Sequence, residues 1–342
     1  HPKGDVAFRK ALAELLKREY GWQLSADNIA LTAGSQTGFF LLFNMLAGEF
    51  SDGSVKRILL PATPEYAGYT DIGLMENLFV SQRPEIEDHP DGFFKYHVNF
   101  DTLKINEDIA ALCISRPTNP TGNVITDEEL QQLDEMARRA DVPLIVDNAY
   151  GLPFPRIVFS KATPFWNDNV VLCMSLSKLG LPGIRTGIIV ANEEFIEALS
   201  NMTAVQSLAV TSAGAVFVQP WLESGEIIDI SRRYITPFYK HKSQVACQIL
   251  KRELNDIPFK IHIPEGAFFL WLWLPGLPIS SHDLYRRLKA RGVFVMSGHH
   301  FFPGLKESWN HRDECLRLSY SQDSAVVEEG MKLIGEELRK LY

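Results

Sequence analysis

Short unbroken apolar runs alternate along the chain with stretches in which apolar positions recur every three or four residues. The runs at 57–61 (RILLP), 109–115 (IAALCIS), 143–147 (PLIVD), 170–175 (VVLCMS) and 187–191 (GIIVA) are too short for helices. Rich in Val, Ile and Leu, they predict strands buried on both faces. The stretch 5–20 (DVAFRKALAELLKREY) puts Phe8, Leu12, Leu15 and Leu16 on one helical side. Next, "NIALTAGSQTGFFLLFNML" reads as a short strand, a glycine turn and a helix starting near Ser35. At 126–139, Thr126 followed by Glu129 makes the T-x-x-E capping box that satisfies orphan amides at a helix start. Buried strands joined by helices predict an α/β fold, with a mostly parallel sheet flanked by helices.

The pattern changes past residue 225. A helix-like stretch at 225–254, interrupted at Pro237, reads as a connector into a smaller domain. Strand patterns at 259–263, 267–274 and 315–320 and helix patterns at 281–291 and 324–341 make that domain α+β. The expected division is a large domain over 1–235 and a small C-terminal domain over 236–342. A length of 342 residues accommodates both. With 46% hydrophobic and 22% charged residues, the composition is that of a globular protein. A net charge of −8 argues against a general grip on nucleic acid. No apolar run is long enough to span a membrane and no signal peptide opens the chain, so a cytoplasmic protein is expected. The four cysteines are widely spaced, as buried small hydrophobes in a reducing compartment would be. His299 and His300 have no carboxylate at helical ligand spacing, so no metal site is expected. The chain opens with "HPKGD", without Met, and runs at once into a helix pattern. A segment ahead of His1 is therefore expected.

Polar residues collect just beyond the C-terminal ends of the predicted strands. Gly34-Ser35-Gln36 follow the first, Pro64-Glu65-Tyr66 the second, and Ser115 to Asn119 the third. Asp147 to Tyr150 end the fourth, and Ser175 to Lys178 the fifth. Ligands of open parallel sheets bind in the crevice outside those strand ends. Asn119 to Asp147 is 28 residues and Asp147 to Lys178 is 31, about one strand–helix–strand unit per step, so all five clusters can meet. Each cluster alone is an ordinary cap or turn; five at one sheet edge suggest a single site. Ser35 at a helix start, with Ser175, Ser177 and Arg185, suits a phosphate. Tyr66 offers a face for an aromatic ring, Asp147 a carboxylate, Tyr150 and Asn119 hydrogen bonds, and Lys178 an amine. A phosphate, a ring with a basic nitrogen, a phenolic oxygen and an aldehyde together describe pyridoxal 5′-phosphate (PLP). That cofactor would explain why Lys178 and Arg185 interrupt the apolar stretch "LCMSLSKLGLPGIRTGIIVA".

The successive motifs "SRPTNPTGNVIT", "VDNAYG", "SLSKLGLPGIRTG" and "CLRLSY" resemble those of the class I/II, fold type I, PLP-dependent aminotransferases. The resemblance covers essentially the whole chain in the family's order. It implies an exchange of an amino group between an amino acid and a 2-oxo acid in a C₂ homodimer. Finer wording in "PEYAGY", "DNAYGLPFP" and "PEGAFFLWLWLPGLPI" narrows the implied pair to a small aliphatic amino acid and pyruvate. By the same resemblance, Lys178 would bond the cofactor aldehyde and Asp147 would face the ring nitrogen. Tyr150 and Asn119 would hydrogen-bond the phenolic oxygen, and Tyr66 would stack on the ring. Gly34, Ser35, Gln36, Ser175, Ser177 and Arg185 would hold the phosphate. Arg317, with Asn119, would bind the substrate carboxylate. Two departures stand out. The family commonly spaces its phosphate arginine eight residues beyond the lysine, whereas Arg185 is seven beyond Lys178. Its phosphate-binding tyrosine from the neighbouring subunit would precede His1. Two rivals use the same scaffold: a PLP-dependent carbon–sulfur lyase, and the effector domain of a transcriptional regulator.

Overall fold

The strand Val170–Ser175 sends Val170, Leu172 and Met174 into one apolar core, and Val171 and Cys173 into another. This two-sided burial is why its sequence is apolar without interruption. The computed structural model describes residues 1–342. Its first sheet comprises β1 (Ile29–Thr32), β2 (Gly48–Glu49), β3 (Val55–Leu60) and β4 (Phe79–Ser81). After the hairpin strands β5 (Glu85–His89) and β6 (Phe93–His97), which belong elsewhere, it resumes with β7 (Ile109–Ser115), β8 (Leu144–Asp147), β9 (Val170–Ser175) and β10 (Gly187–Val190). The order is β1-β10-β9-β8-β7-β3-β2, with β4 paired on β3. Strands β3, β4, β7, β8 and β9 are parallel, while β10 runs antiparallel to both of its neighbours. The expected mostly parallel sheet is present.

Helices cover both faces. One core takes the apolar sides of α1 (Val6–Tyr20), α3 (Asp127–Arg139) and α5 (Ala213–Ser224). The other takes those of α2 (Ser35–Leu46) and α4 (Glu193–Ser207). Local chemistry sets the ends of these helices. Asp5 caps α1 by accepting from the Phe8 amide at 2.8 Å, and Gly21, left-handed at φ 70°, closes it. At α3 both halves of the expected capping box form: the Glu129 amide donates to Thr126 Oγ1 at 3.1 Å, and the Thr126 amide to Glu129 Oε2 at 2.7 Å.

The expected interruption at Pro237 takes a different form. Helix α6 (Glu226–Ile230) runs through a π turn at Ser231–Ile235 straight into α7 (Thr236–Glu253). Pro237 cannot donate an amide, and the widened turn absorbs the change of register, with the Thr236 amide donating to Ser231 five residues back. The chain is re-registered rather than broken.

The second sheet joins β11 (Lys260–His262), β12 (Phe269–Trp273), β13 (Met296–Ser297) and β14 (Cys315–Ser319), with α7, α8 (Ser281–Ala290) and α9 (Ser324–Leu338) packed on its core. It also recruits the hairpin β5–β6 from the N-terminal half, with β6 parallel to β11. The sequence pattern assigned this sheet to residues 236–342 alone, and the hairpin strands are an addition to it. The turn of that hairpin is Asp91-Gly92, both at positive φ (61° and 76°), the conformation that Asp-Gly favours between paired strands.

Thr126→Ala is expected to lower stability by about 1 kcal/mol, read from the urea midpoint, with the slope of the transition unchanged. A midpoint equal to wild type would mean that the cap contributes nothing.

Candidate functional site

Strand register brings three polar strand ends side by side: Ser115 lies opposite Asp147, Asp147 opposite Cys173, and Ser175 opposite Gly187. Beyond them opens a cleft of about 220 Å³. Ser35, Gln36, Ser175, Ser177 and Arg185 line one end, and Tyr66, Asn119, Asp147, Tyr150 and Lys178 line the rest. Of the twelve expected residues only Gly34 and Arg317 do not line it. Both adjoin it, Gly34 against Arg185 and Arg317 through Asn119.

At the first end, α2 begins at Ser35 with no side-chain cap, so its first-turn amides have no partner of that kind. Gly34 stands at φ 89°, and a Cβ there would lie 2.2 Å from Arg185 Nη2. Only glycine lets the guanidinium approach the helix start. The Gln36 side chain donates to Gly68 O at 3.0 Å, so what it offers the cleft is its backbone amide. The seven-residue step from Lys178 to Arg185 is spanned by two short 3₁₀ turns, Ser177–Leu179 and Pro182–Ile184. Gly180 at φ 108° and Arg185 at φ 46° bend the path back to the cleft. Arg185 Nη1 reaches Ser177 Oγ at 3.4 Å and Pro182 O at 3.3 Å, and meets no carboxylate.

Asp147 is buried, its Oδ2 accepting from the Tyr69 hydroxyl at 2.7 Å and its Oδ1 from the Ala149 amide at 3.0 Å. Burial raises its pKa, opposed by those hydrogen bonds and by the charge of Lys178. The Lys178 amine lies 5.3 Å from the ring centres of both Tyr150 and Phe268. Burial lowers its pKa, as does repulsion from Arg317 and Arg185, and Asp147 partly opposes the shift. An amine so placed is more readily neutral, as a nucleophile or proton acceptor must be. Burial also raises the Tyr150 hydroxyl, with Arg317 opposing.

Arg317 projects from β14. Its Nη1 donates to Asn119 Oδ1 at 2.9 Å, and its guanidinium lies 4.3 Å from the Phe269 ring centre. Its Nε is buried without a partner. The small sheet is pressed against the Asn119 loop: a Cβ on Gly266 would lie 2.4 Å from Pro117, and one on Gly122 2.5 Å from Gly266 O. Lys95 of β6 fastens the same junction, donating to Asn123 Oδ1 and Val124 O at 3.0 Å each and pairing with Glu265.

Two residues were not singled out from sequence. Tyr69 holds Asp147 from beneath. Glu65, wholly buried, accepts from the Ser115 amide at 2.8 Å and lies 2.5 Å from Ser115 Oγ. Glu65 was visible only as one member of a polar cluster, and Tyr69 only as the second tyrosine of "YAGY".

The family model for aminotransferase class I and II matches residues 1–334. The chain belongs to that family. It is 50% identical over 341 residues to the valine–pyruvate aminotransferase of Escherichia coli K12, covering all of this chain and 82% of that one. A crystal structure of valine–pyruvate aminotransferase from Salmonella typhimurium LT2 superposes with a TM-score of 0.93 at 49% identity, covering 99% of this chain and 85% of that one. A Psychrobacter arcticum 273-4 chain superposes at 0.97 and 49% identity, covering 100% and 81%. The protein is thus a fold type I aminotransferase, acting on an amino acid and a 2-oxo acid with PLP as cofactor. The residues present fit that group. A helix start open to an anion, an arginine without a carboxylate, a buried carboxylate without a salt bridge and a lysine amine of lowered pKa share one cleft.

In this aminotransferase, Gly34→Ala is expected to weaken PLP binding by at least about tenfold, since the methyl displaces Arg185 and strains the backbone. Fluorescence titration of the cofactor measures it, and unchanged affinity would remove the cradle from the binding site.

Proposed function

We propose that the chain moves the amino group of L-valine to pyruvate, giving 2-oxoisovalerate and L-alanine. The observation that carries the reading is the Lys178 amine set in one cleft with the Asp147 carboxylate, beside the Arg317 guanidinium that has no counter-ion. The substrate names come from the valine–pyruvate relatives at 49–50% identity. The charges of the cleft agree with them. Arg185 answers the phosphate and Arg317 one α-carboxylate, so this chain leaves no lining cation for a second substrate carboxylate.

Bound PLP supplies an aldehyde to hold the amino group and a ring that accepts the electron pair left when the substrate α-hydrogen departs as a proton. Lys178 would hold the cofactor aldehyde before substrate arrives, and its freed amine would serve as the base for the proton on the substrate α-carbon and as the acid that returns it. Asp147 would keep the ring nitrogen protonated, because a nearby negative charge raises that nitrogen's pKa. Tyr150 and Asn119 would hydrogen-bond the phenolic oxygen, and Tyr66 would offer its face to the ring. Gly34, Ser35 and Gln36 at the α2 start, with Ser175, Ser177 and Arg185, hold the phosphate. Arg317, steadied by Asn119, grips the α-carboxylate and orients the breaking bond.

The division of labour follows the chain, with cofactor residues in 1–235 and the carboxylate arginine in 236–342. We also infer a cytoplasmic homodimer. Val205 and Leu208 are 90% and 79% exposed, and Val216 and Phe217 nearby are 59% and 60% exposed, an apolar surface that a second copy would cover.

A panel of amino donors with pyruvate as acceptor tests the function: valine is expected to give the highest kcat/KM for alanine formation, with aspartate and glutamate poor. Pyruvate release from cystathionine exceeding alanine formation from valine would favour the lyase instead. Arg317→Ala is expected to raise the valine KM on the order of a hundredfold while PLP binding persists. An unchanged KM would put the carboxylate site elsewhere.

A further inference from the structure

A second carboxyl group lies beneath the first. Glu65 and Asp147 are both buried and are joined by two hydroxyls: Glu65 Oε2 lies 2.5 Å from Ser115 Oγ, Ser115 Oγ 3.3 Å from the Tyr69 oxygen, and Tyr69 2.7 Å from Asp147 Oδ2. No basic group pairs with Glu65. The titratable groups facing it are Asp147 from β8, Cys113 from β7 and Tyr69 from its own loop, with Lys178 on the far side of Asp147.

We propose that Glu65 is a positioning residue that acts through Ser115 and Tyr69 to hold Asp147 charged and aimed at the cofactor ring. The proposal rests on the aminotransferase reading of the cleft. Its basis is a count of protons. Three links connect the carboxyl groups, but the two hydroxyls supply only two protons. Tyr69 spends its proton on Asp147. If Glu65 is ionised, Ser115 must donate to it, and the Ser115 and Tyr69 oxygens face each other with no hydrogen between them. If Glu65 carries a proton, it donates to Ser115, Ser115 to Tyr69 and Tyr69 to Asp147, so every link is filled in one direction. Glu65 Oε1 still accepts from the Ser115 amide, and Oε2 from the Tyr66 amide at 3.3 Å. The chain of donors ends on Asp147, strengthening its negative form, and only one of two neighbouring carboxyl groups then bears charge.

Electrostatics agree with the count. Burial, with the Asp147 charge adding to it and the hydrogen bonds from Ser115 and Tyr66 opposing, raises the Glu65 pKa to about 8, against 4.5 for an ordinary glutamate. The pH dependence follows. Between those two values the unfolded chain releases a proton that the folded one keeps, so this group's stabilisation is full below about 4.5 and lost as pH rises towards 8.

The test uses the full chain loaded with PLP and with ¹³C-labelled glutamate carboxyls. Infrared spectra at pH 7 are expected to show a protonated glutamate carboxyl band that fades as pH rises through about 8 and is absent from Glu65→Gln. An amide can donate to Ser115 Oγ as the acid does, so Glu65→Gln is expected to stay within about threefold of wild type in kcat and PLP affinity. Glu65→Leu is expected to lose about tenfold or more in both. Tyr69→Phe, which breaks the chain without touching Glu65, is expected to keep the band and lose a similar factor in kcat. Absence of the band at pH 7, or Glu65→Gln as impaired as Glu65→Leu, overturns the proposal. Lys178→Ala separates the two failures: if the cofactor's bonded absorbance survives in that variant, the reading of the cleft is wrong, whatever the infrared band shows.

Discussion

Two cations and one anion line this cleft and a third cation, Arg317, adjoins it, without a salt bridge among them. Lys178, Arg185 and Arg317 face no carboxylate at bonding distance, and Asp147 takes its hydrogen bonds from a phenol and an amide. Asp147 is buried and Lys178 and Arg317 are half-buried, and charges so placed are costly unless something pairs with them. The imbalance is the central constraint of the site, because it states what must bind. In the proposed reading, Arg185 at an open helix start answers a dianion, Arg317 a carboxylate, and Asp147 a protonated ring nitrogen. The fold supplies the rigidity that keeps these groups from pairing with one another. Strand register fixes Asp147, close turns fix Lys178 and Arg185, and an aromatic shelf fixes Arg317.

Much of this was legible because parallel sheets present their ligand sites at strand ends, and strand ends can be found by where apolar runs stop. The run 143–147 stops at Asp147 and 170–175 stops at Ser175, and both residues line the cleft. The β5–β6 hairpin was less legible. β5 reads Glu-Ile-Glu-Asp-His at a sheet edge, so it lacks the apolar run that marks the central strands. Its Asp91-Gly92 turn was the available signal. Pro237 shows the opposite error, a helix breaker whose effect the π turn absorbs. Glu65 and Tyr69 could not be ranked above other polar residues, since their meaning lies in distances across Ser115 that no spacing encodes.

The second sheet matters to the chemistry through one side chain. Arg317 reaches Asn119 across the junction between the sheets, and that junction has little freedom. Gly122 and Gly266 admit no Cβ, while Lys95 joins the Asn119 loop to Glu265 on the small-sheet side. Lys95 belongs to β6, so the hairpin that left the large domain returns to clamp the loop carrying Asn119. The proposed cofactor and carboxylate grips are therefore mechanically connected, though they arise from segments about two hundred residues apart.

The site also separates two kinds of buried acid. Asp147 ends β8 and Glu65 lies in the loop beyond β3; burial raises the pKa of both, and their neighbours set them apart. Asp147 has Lys178 nearby and two donors aimed at it, which favour the charged form. For Glu65, burial and then the Asp147 charge favour the neutral form, against the hydrogen bonds from Ser115 and Tyr66, and no cation stands beside it. Divergence of two neighbouring carboxyls is how proteins assign one the role of counter-ion and the other that of hydrogen-bond donor. Exchanging the apolar floor of Phe39 and Phe43, on which the Tyr69 ring packs, for a wetter one would let both groups ionise. Their repulsion would then act on Asp147, the residue proposed to face the ring nitrogen. The aromatic packing under α2 is in that sense part of the electrostatics of the cleft.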